Sequence, residues 1–93
     1  MPDLTQGSKI AASSGQISTQ LDDEAIILDL ETGTYYGLAQ VGARIWAILQ
    51  QPTTCAQIVD TLLDEYDVER ATLAEDVLAF VRDLRANRLV ELL

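Results

Sequence analysis

Cys55 is the one thiol in this 93-residue chain, and there is no histidine. The missing imidazole removes the commonest general base and the commonest zinc ligand. Cys55 falls in the first turn of an expected helix, where the helix dipole could lower its pKa. No base stands at a spacing that would activate it. A single cysteine also excludes an intrachain disulfide and a cysteine metal cage. The sequence therefore assigns no catalytic residue, no metal ligand and no cofactor, and an independent enzyme is the least favoured class.

The charges carry more information than the nucleophiles. Arg82, Arg85 and Arg88 recur every three residues on one expected helix, the pattern of a DNA-reading helix. Fifteen carboxylates stand against six basic residues, for a formal charge of -9. A field of that sign opposes approach to phosphates and favours a basic or weakly charged partner. A winged-helix DNA-binding transcriptional regulator is thus the alternative reading, and a subunit that binds another protein edge to edge is a further one. No apolar run approaches the roughly 18 residues that span a bilayer, and residues 1–8 lack the pattern of a secretory signal. A cytoplasmic protein with neither nucleic acid nor membrane as partner is expected.

These side chains must be positioned by an α+β fold of three strands followed by three helices. Residues 1–8 are polar and read as a flexible N-terminus, leaving residues 9–93 as a single domain. Lys9–Ser13 is a candidate extended segment. A meander follows: Ile17–Leu21, a turn at Asp22–Asp23, Glu24–Leu30, a turn over Glu31–Gly33, and Thr34–Leu38. Gly33 supplies the positive φ of the second turn. Val41–Gln50 reads as a helix with Val41, Ile45, Ile48 and Leu49 on one side and Trp46 at the margin, stopped by Pro52. Thr54 and Gln57 form a capping box for a helix to about Tyr66. The longest helix, about Glu69 to Ala86, shows Leu73, Val77, Phe80 and Leu84 on one face. Asn87 is the candidate left-handed residue at its end. Leu89–Leu93 is apolar and packs back on the core. Without βαβ alternation this is a small antiparallel sheet with helices, a winged helix-turn-helix.

From Leu21 to Leu92 the chain resembles the PqqD-like family of leader-recognition domains, most of all its stand-alone lasso-peptide members. The resemblance is carried by the strand-turn-strand Ile27–Leu38 and by Val41-Gly42-Ala43-Arg44-Ile45-Trp46. Further on come Ile58-Val59, Tyr66, Asp76-Val77, Phe80-Val81, Leu84 and Leu89-Val90. It implies non-catalytic binding of the leader segment of a ribosomally made precursor peptide. The leader would add as an antiparallel strand beside the third strand and lie against the third helix. In the lasso branch it carries Tyr-x-x-Pro, and a separate cysteine protease, the leader peptidase, then removes it. Two departures stand out. Ala39-Gln40 replaces an Asn-Pro pair ahead of the first helix, and Arg88 replaces a glycine after the third, which puts both helix ends in question.

The residues themselves allow that role. Thr34, Tyr35, Tyr36, Gly37 and Leu38 form a short strand able to be an open edge, which an extended peptide can extend. Tyr35 and Tyr36 point to opposite faces, one to the core and one free; the pattern does not say which. On the third helix, Asp76, Ala79, Phe80 and Asp83 share a flank at roughly 100° per residue. That acidic flank is the expected wall of a peptide groove, although a phenylalanine at such a position is more often core than contact. Arg44 and Trp46 read as structural.

Overall fold

Asp22 and Gly33 both lie at positive φ, 54° and 74°, and each reverses the chain between two strands. The computed structural model describes residues 4–93. Its elements are β1 (Lys9–Ala12), β2 (Gln16–Leu21), β3 (Glu24–Asp29), β4 (Tyr35–Ala39), α1 (Val41–Ile48), β5 (Thr53–Thr54), α2 (Cys55–Glu65), α3 (Arg70–Ala86) and β6 (Val90–Leu92). The expected meander is the antiparallel sheet β2-β3-β4, with β3 central and β4 at an edge. Strand alternation turns Ala25, Ile27 and Asp29 of β3 inward. Asp29 is buried yet satisfied, because its Oδ1 accepts the backbone N–H groups of Glu31 (2.9 Å) and Thr32 (3.4 Å) and so shapes the turn before Gly33.

The helices close over this sheet. Trp46 of α1 is fully buried, in the core rather than at the margin of its helix, and its Nε1 donates to Ser18 Oγ of β2 at 3.0 Å. α2 begins with the expected capping box: the Gln57 N–H donates to the Thr54 hydroxyl while the Gln57 side chain accepts from the Thr54 N–H. On α3 the buried residues are Leu73, Val77, Val81 and Leu84. Val81 thus takes the core place expected of Phe80, which is only partly buried.

The end of α3 corrects one expectation. Asn87 is not left-handed (φ -92°); Arg88 is, at φ 62°. Leu89 N–H reaches Leu84 O (2.9 Å) and Arg88 N–H reaches Arg85 O (3.0 Å), the two bonds of a Schellman motif. The motif needs its left-handed residue one position beyond the cap, and the buried Leu84 and Leu89 hold it there, so an arginine adopts what glycine does more readily.

Gln40, with Asp22 and Arg88, is a non-glycine residue at positive φ. It caps α1 at φ 53°, ψ -123°, with no side-chain capping bond. That is the mirror image of extended backbone, which a Cβ disfavours. Gln40→Gly is expected to raise stability by about 1 kcal/mol, seen as a higher urea midpoint with an unchanged slope.

Three short strands outside the meander form a second sheet, β5-β1-β6, in which β1 pairs with both neighbours antiparallel. Residues 4–8, read from the sequence as flexible, pack on the helices. Leu4 is 3% exposed, the Gln6 side chain donates to Ala74 O (3.0 Å), and Gln6 O accepts from Ala56 N–H (3.0 Å). A polar composition concealed one apolar anchor. Residues 1–3 lie outside the described residues.

Candidate peptide-binding groove

β4 is an edge because nothing follows it in its sheet. Asp29 N–H donates to Thr34 O (2.9 Å), and Gln40 N–H donates to Asp23 O (2.6 Å). These bonds set the phase of the antiparallel ladder. Thr34, Tyr36, Leu38 and Gln40 turn their peptide groups to β3, while Tyr35, Gly37 and Ala39 turn theirs outward. The outward row is what an added strand would pair with.

Beside that row runs an apolar groove of about 520 Å³, floored by α1 and walled by α3. Leu38, Ile45, Leu73, Val77 and Phe80 supply its apolar lining, and Asp76 is the one charge in it. Gly42 determines its depth. A Cβ there would lie 3.3 Å from Phe80 Cζ and 3.5 Å from Cε1, so the missing side chain lets the Phe80 ring lie down against α1. At the other end of β4, Thr34 and Tyr36 line a smaller polar hollow with Glu31, Asn87 and Arg88.

The groove therefore unites Gly37, Leu38, Asp76 and Phe80 of the expected site, while Thr34 and Tyr36 line the separate polar hollow at the other end of β4. The tyrosines are resolved: Tyr36 packs against the core, while Tyr35 is 70% exposed on the opposite face of the sheet. Ala79 and Asp83 are exposed on α3 but are not among the groove-lining residues. Sequence reasoning missed Val41, Gly42, Ile45, Val68 and Leu73 as lining. Two signals were present: a glycine inside a helix implies close approach, and Val68 is the apolar residue between Asp67 and Glu69.

The surrounding chemistry is structural. Arg44 Nε and Nη2 clamp the Glu65 carboxylate at 2.8–3.1 Å, joining α1 to α2. Hydrogen bonding to Arg44 holds the Glu65 carboxyl below its usual value. Cys55 is buried, and burial pushes its thiol up despite the opposing charge of Arg82; the suggested lowering by the helix dipole does not prevail. Arg82 and Arg85 sit beside Leu4, away from the groove. No cluster among the described residues could hold a metal ion, and no helix among them is long and apolar enough to cross a membrane.

An open-edged meander over three helices, with an apolar groove along the edge, defines a class. Residues 24–90 match the family described as Coenzyme PQQ synthesis protein D (PqqD), and the chain belongs to that family. Within it, the chain is similar to TbiB1, solved in complex with the TbiA(beta) leader peptide. The two are 41% identical with a TM-score of 0.83, over 87% of this chain and 94% of that one. It is also similar to a lasso peptide synthetase B1 complexed with its leader peptide, at 27% identity and a TM-score of 0.78, over 88% and 96% of the two chains. The PqqD truncation of Methylobacterium extorquens PqqCD, described as a stand-alone recognition element for ribosomally synthesized and post-translationally modified peptides, shares the fold. Its identity is 18% and its TM-score 0.77, over 96% and 95% of the chains. No curated protein matches significantly.

Proposed function

We propose that this protein is a non-catalytic recognition element that binds the leader segment of a ribosomally made precursor peptide, in the manner of lasso-peptide maturation. The observation that carries this reading is the apolar groove lying beside the outward peptide groups of Gly37 and Ala39, on an edge that Tyr35 continues. A leader entering as a fourth strand pairs with those groups, and alternate side chains drop toward Leu38, Leu73 and Phe80. The leader runs antiparallel to β4. Its upstream part therefore faces the apolar groove at Ala39, and its downstream part faces the polar hollow at Thr34 and Arg88. Both TbiB1 and the lasso synthetase B1 were solved with a leader peptide, which supports the assignment.

The bound leader is then handed to a leader peptidase, a cysteine protease. Holding the precursor makes that encounter nearly intramolecular. The recurring arginines do not favour DNA: Arg82 and Arg85 lie beside Leu4, Arg88 lies apart from them in the hollow with Glu31 and Tyr36, and a net charge of -9 opposes approach to phosphates.

The test is fluorescence anisotropy with a labelled leader from the cognate precursor, beside a version with its Tyr and Pro changed to Ala. Binding that is lost in the altered leader supports the reading, and absence of binding to the native leader by folded protein sinks it. In the same assay Asp76→Lys is expected to weaken binding about fivefold or more. Asp64→Lys, on exposed α2 surface, should change it little. Equal effects would remove Asp76 from the site.

A further inference from the structure

Half-covered antiparallel sheets normally present polar side chains on the face that meets water. The β2-β3-β4 sheet does not. Register places Ile17, Leu28 and Tyr35 in one row across its outer face, and Thr19 and Ile26 in the next beside Gly37. Ile17 is 57% exposed and Ile26 44%. Leu21, at the end of β2, extends the patch. No lysine or arginine occurs between Ile10 and Ala43. Of the carboxylates of this stretch, Asp29 is buried on the inner face, and the others gather at the ends of the sheet: Asp22, Asp23 and Glu24 at one turn, Glu31 at the other. A continuous apolar face framed by one sign of charge is a recognition surface.

The frame selects the occupant. Two copies meeting face to face would oppose acid to acid, and a phosphate-bearing surface would be repelled in the same way. A protein with an apolar centre and a basic rim satisfies both features. We propose that the outer face of this sheet docks such a protein, the enzyme that acts on the held peptide. The choice of enzyme rests on the function proposed above; the surface itself does not. β4 contributes to both sites at once, its edge to the peptide and its outer face, through Tyr35, to the enzyme. A leader added to that edge widens the face by one strand, so the loaded domain offers more surface than the empty one.

The experiment is biolayer interferometry of purified leader peptidase against the domain, free and leader-loaded, with leader anisotropy on the same proteins. Ile17→Thr with Ile26→Thr keeps β-branched strand formers and should cost about tenfold or more in peptidase affinity. Asp23→Lys with Glu24→Lys leaves the apolar face whole. It should weaken docking severalfold at low salt and flatten the salt dependence of the wild type. Leader affinity should be unchanged in both variants. Undiminished peptidase binding in both, or no peptidase binding by the wild type, would overturn the proposal. So would loss of leader binding in the folded variants, or sedimentation showing that the face pairs with a second copy. Failure of leader binding in the wild type, with docking intact, would fall on the function and leave the docking face standing.

Discussion

Gly37→Pro is expected to abolish most leader binding while leaving the domain folded. Gly37 sits at the middle of β4 with its peptide N–H turned away from β3. Proline there removes a donor from the open edge and puts its ring where an added strand must lie. The internal ladder does not use that N–H, so folding stability should change by less than about 1 kcal/mol. Leader affinity should fall by about tenfold or more, since a lost edge bond and a steric barrier act together. Gly37→Ala is the matched control. A Cβ at Gly37 meets nothing within 4 Å, and alanine keeps the N–H, so binding should persist. Anisotropy titrations of the two variants separate loss of strand pairing from loss of glycine. Equal affinities for the two would remove β4 pairing from the mechanism.

Trp46→Ala carries the largest expected stability effect. The side chain is fully buried, and its indole N–H is satisfied by Ser18. Truncation leaves a cavity between α1 and the sheet and should cost about 3–5 kcal/mol. A domain of this size holds roughly 5–15 kcal/mol in all, so the variant should melt far below the wild type or lose its cooperative transition. Circular dichroism is the right probe, because the tryptophan itself is gone. Ser18→Ala isolates one part of this loss. It leaves the indole N–H without its partner and should cost about 1–3 kcal/mol. A Trp46→Ala domain as stable as the wild type would mean that the ring is not what joins α1 to β2.

The parts of this molecule that were legible from sequence are those governed by local chemistry. Gly33 marks its turn because only a residue tolerant of positive φ fits there. Thr54 and Gln57 announce α2 because a capping box acts within four residues. The Leu73, Val77, Leu84 spacing announces the core face of α3. β1, β5 and β6 were harder, since strands of two to four residues exist only through partners distant in the chain. Of these, Lys9–Ser13 suggested extension, but nothing in Thr53–Thr54 did.

The same division runs through the site. β4 and the Asp76–Phe80 wall were visible, being one strand and one helix flank. The floor was not, because Gly42 and Ile45 become lining only when α1 is laid under α3. The helix ends show how tertiary packing overrides local preference. Asn87 tolerates the left-handed region better than arginine does, yet Leu84 and Leu89 place the reversal at Arg88.

The pairing of β6 with β1 has a consequence in time. Residues 90–92 lie beside residues 10–12, so the last strand closes a loop of about eighty residues. Against a tight hairpin such as β2-β3, that closure costs about 3 kcal/mol more in chain entropy. The meander and the α2-α3 hairpin can therefore form while the β1-β6 seam is still open. α3 connects the two halves, since it walls the groove and leads through Arg88 into β6. The C-terminal end of α3, whose other half walls the groove, is thus anchored only when the most distant pairing among the described strands is made.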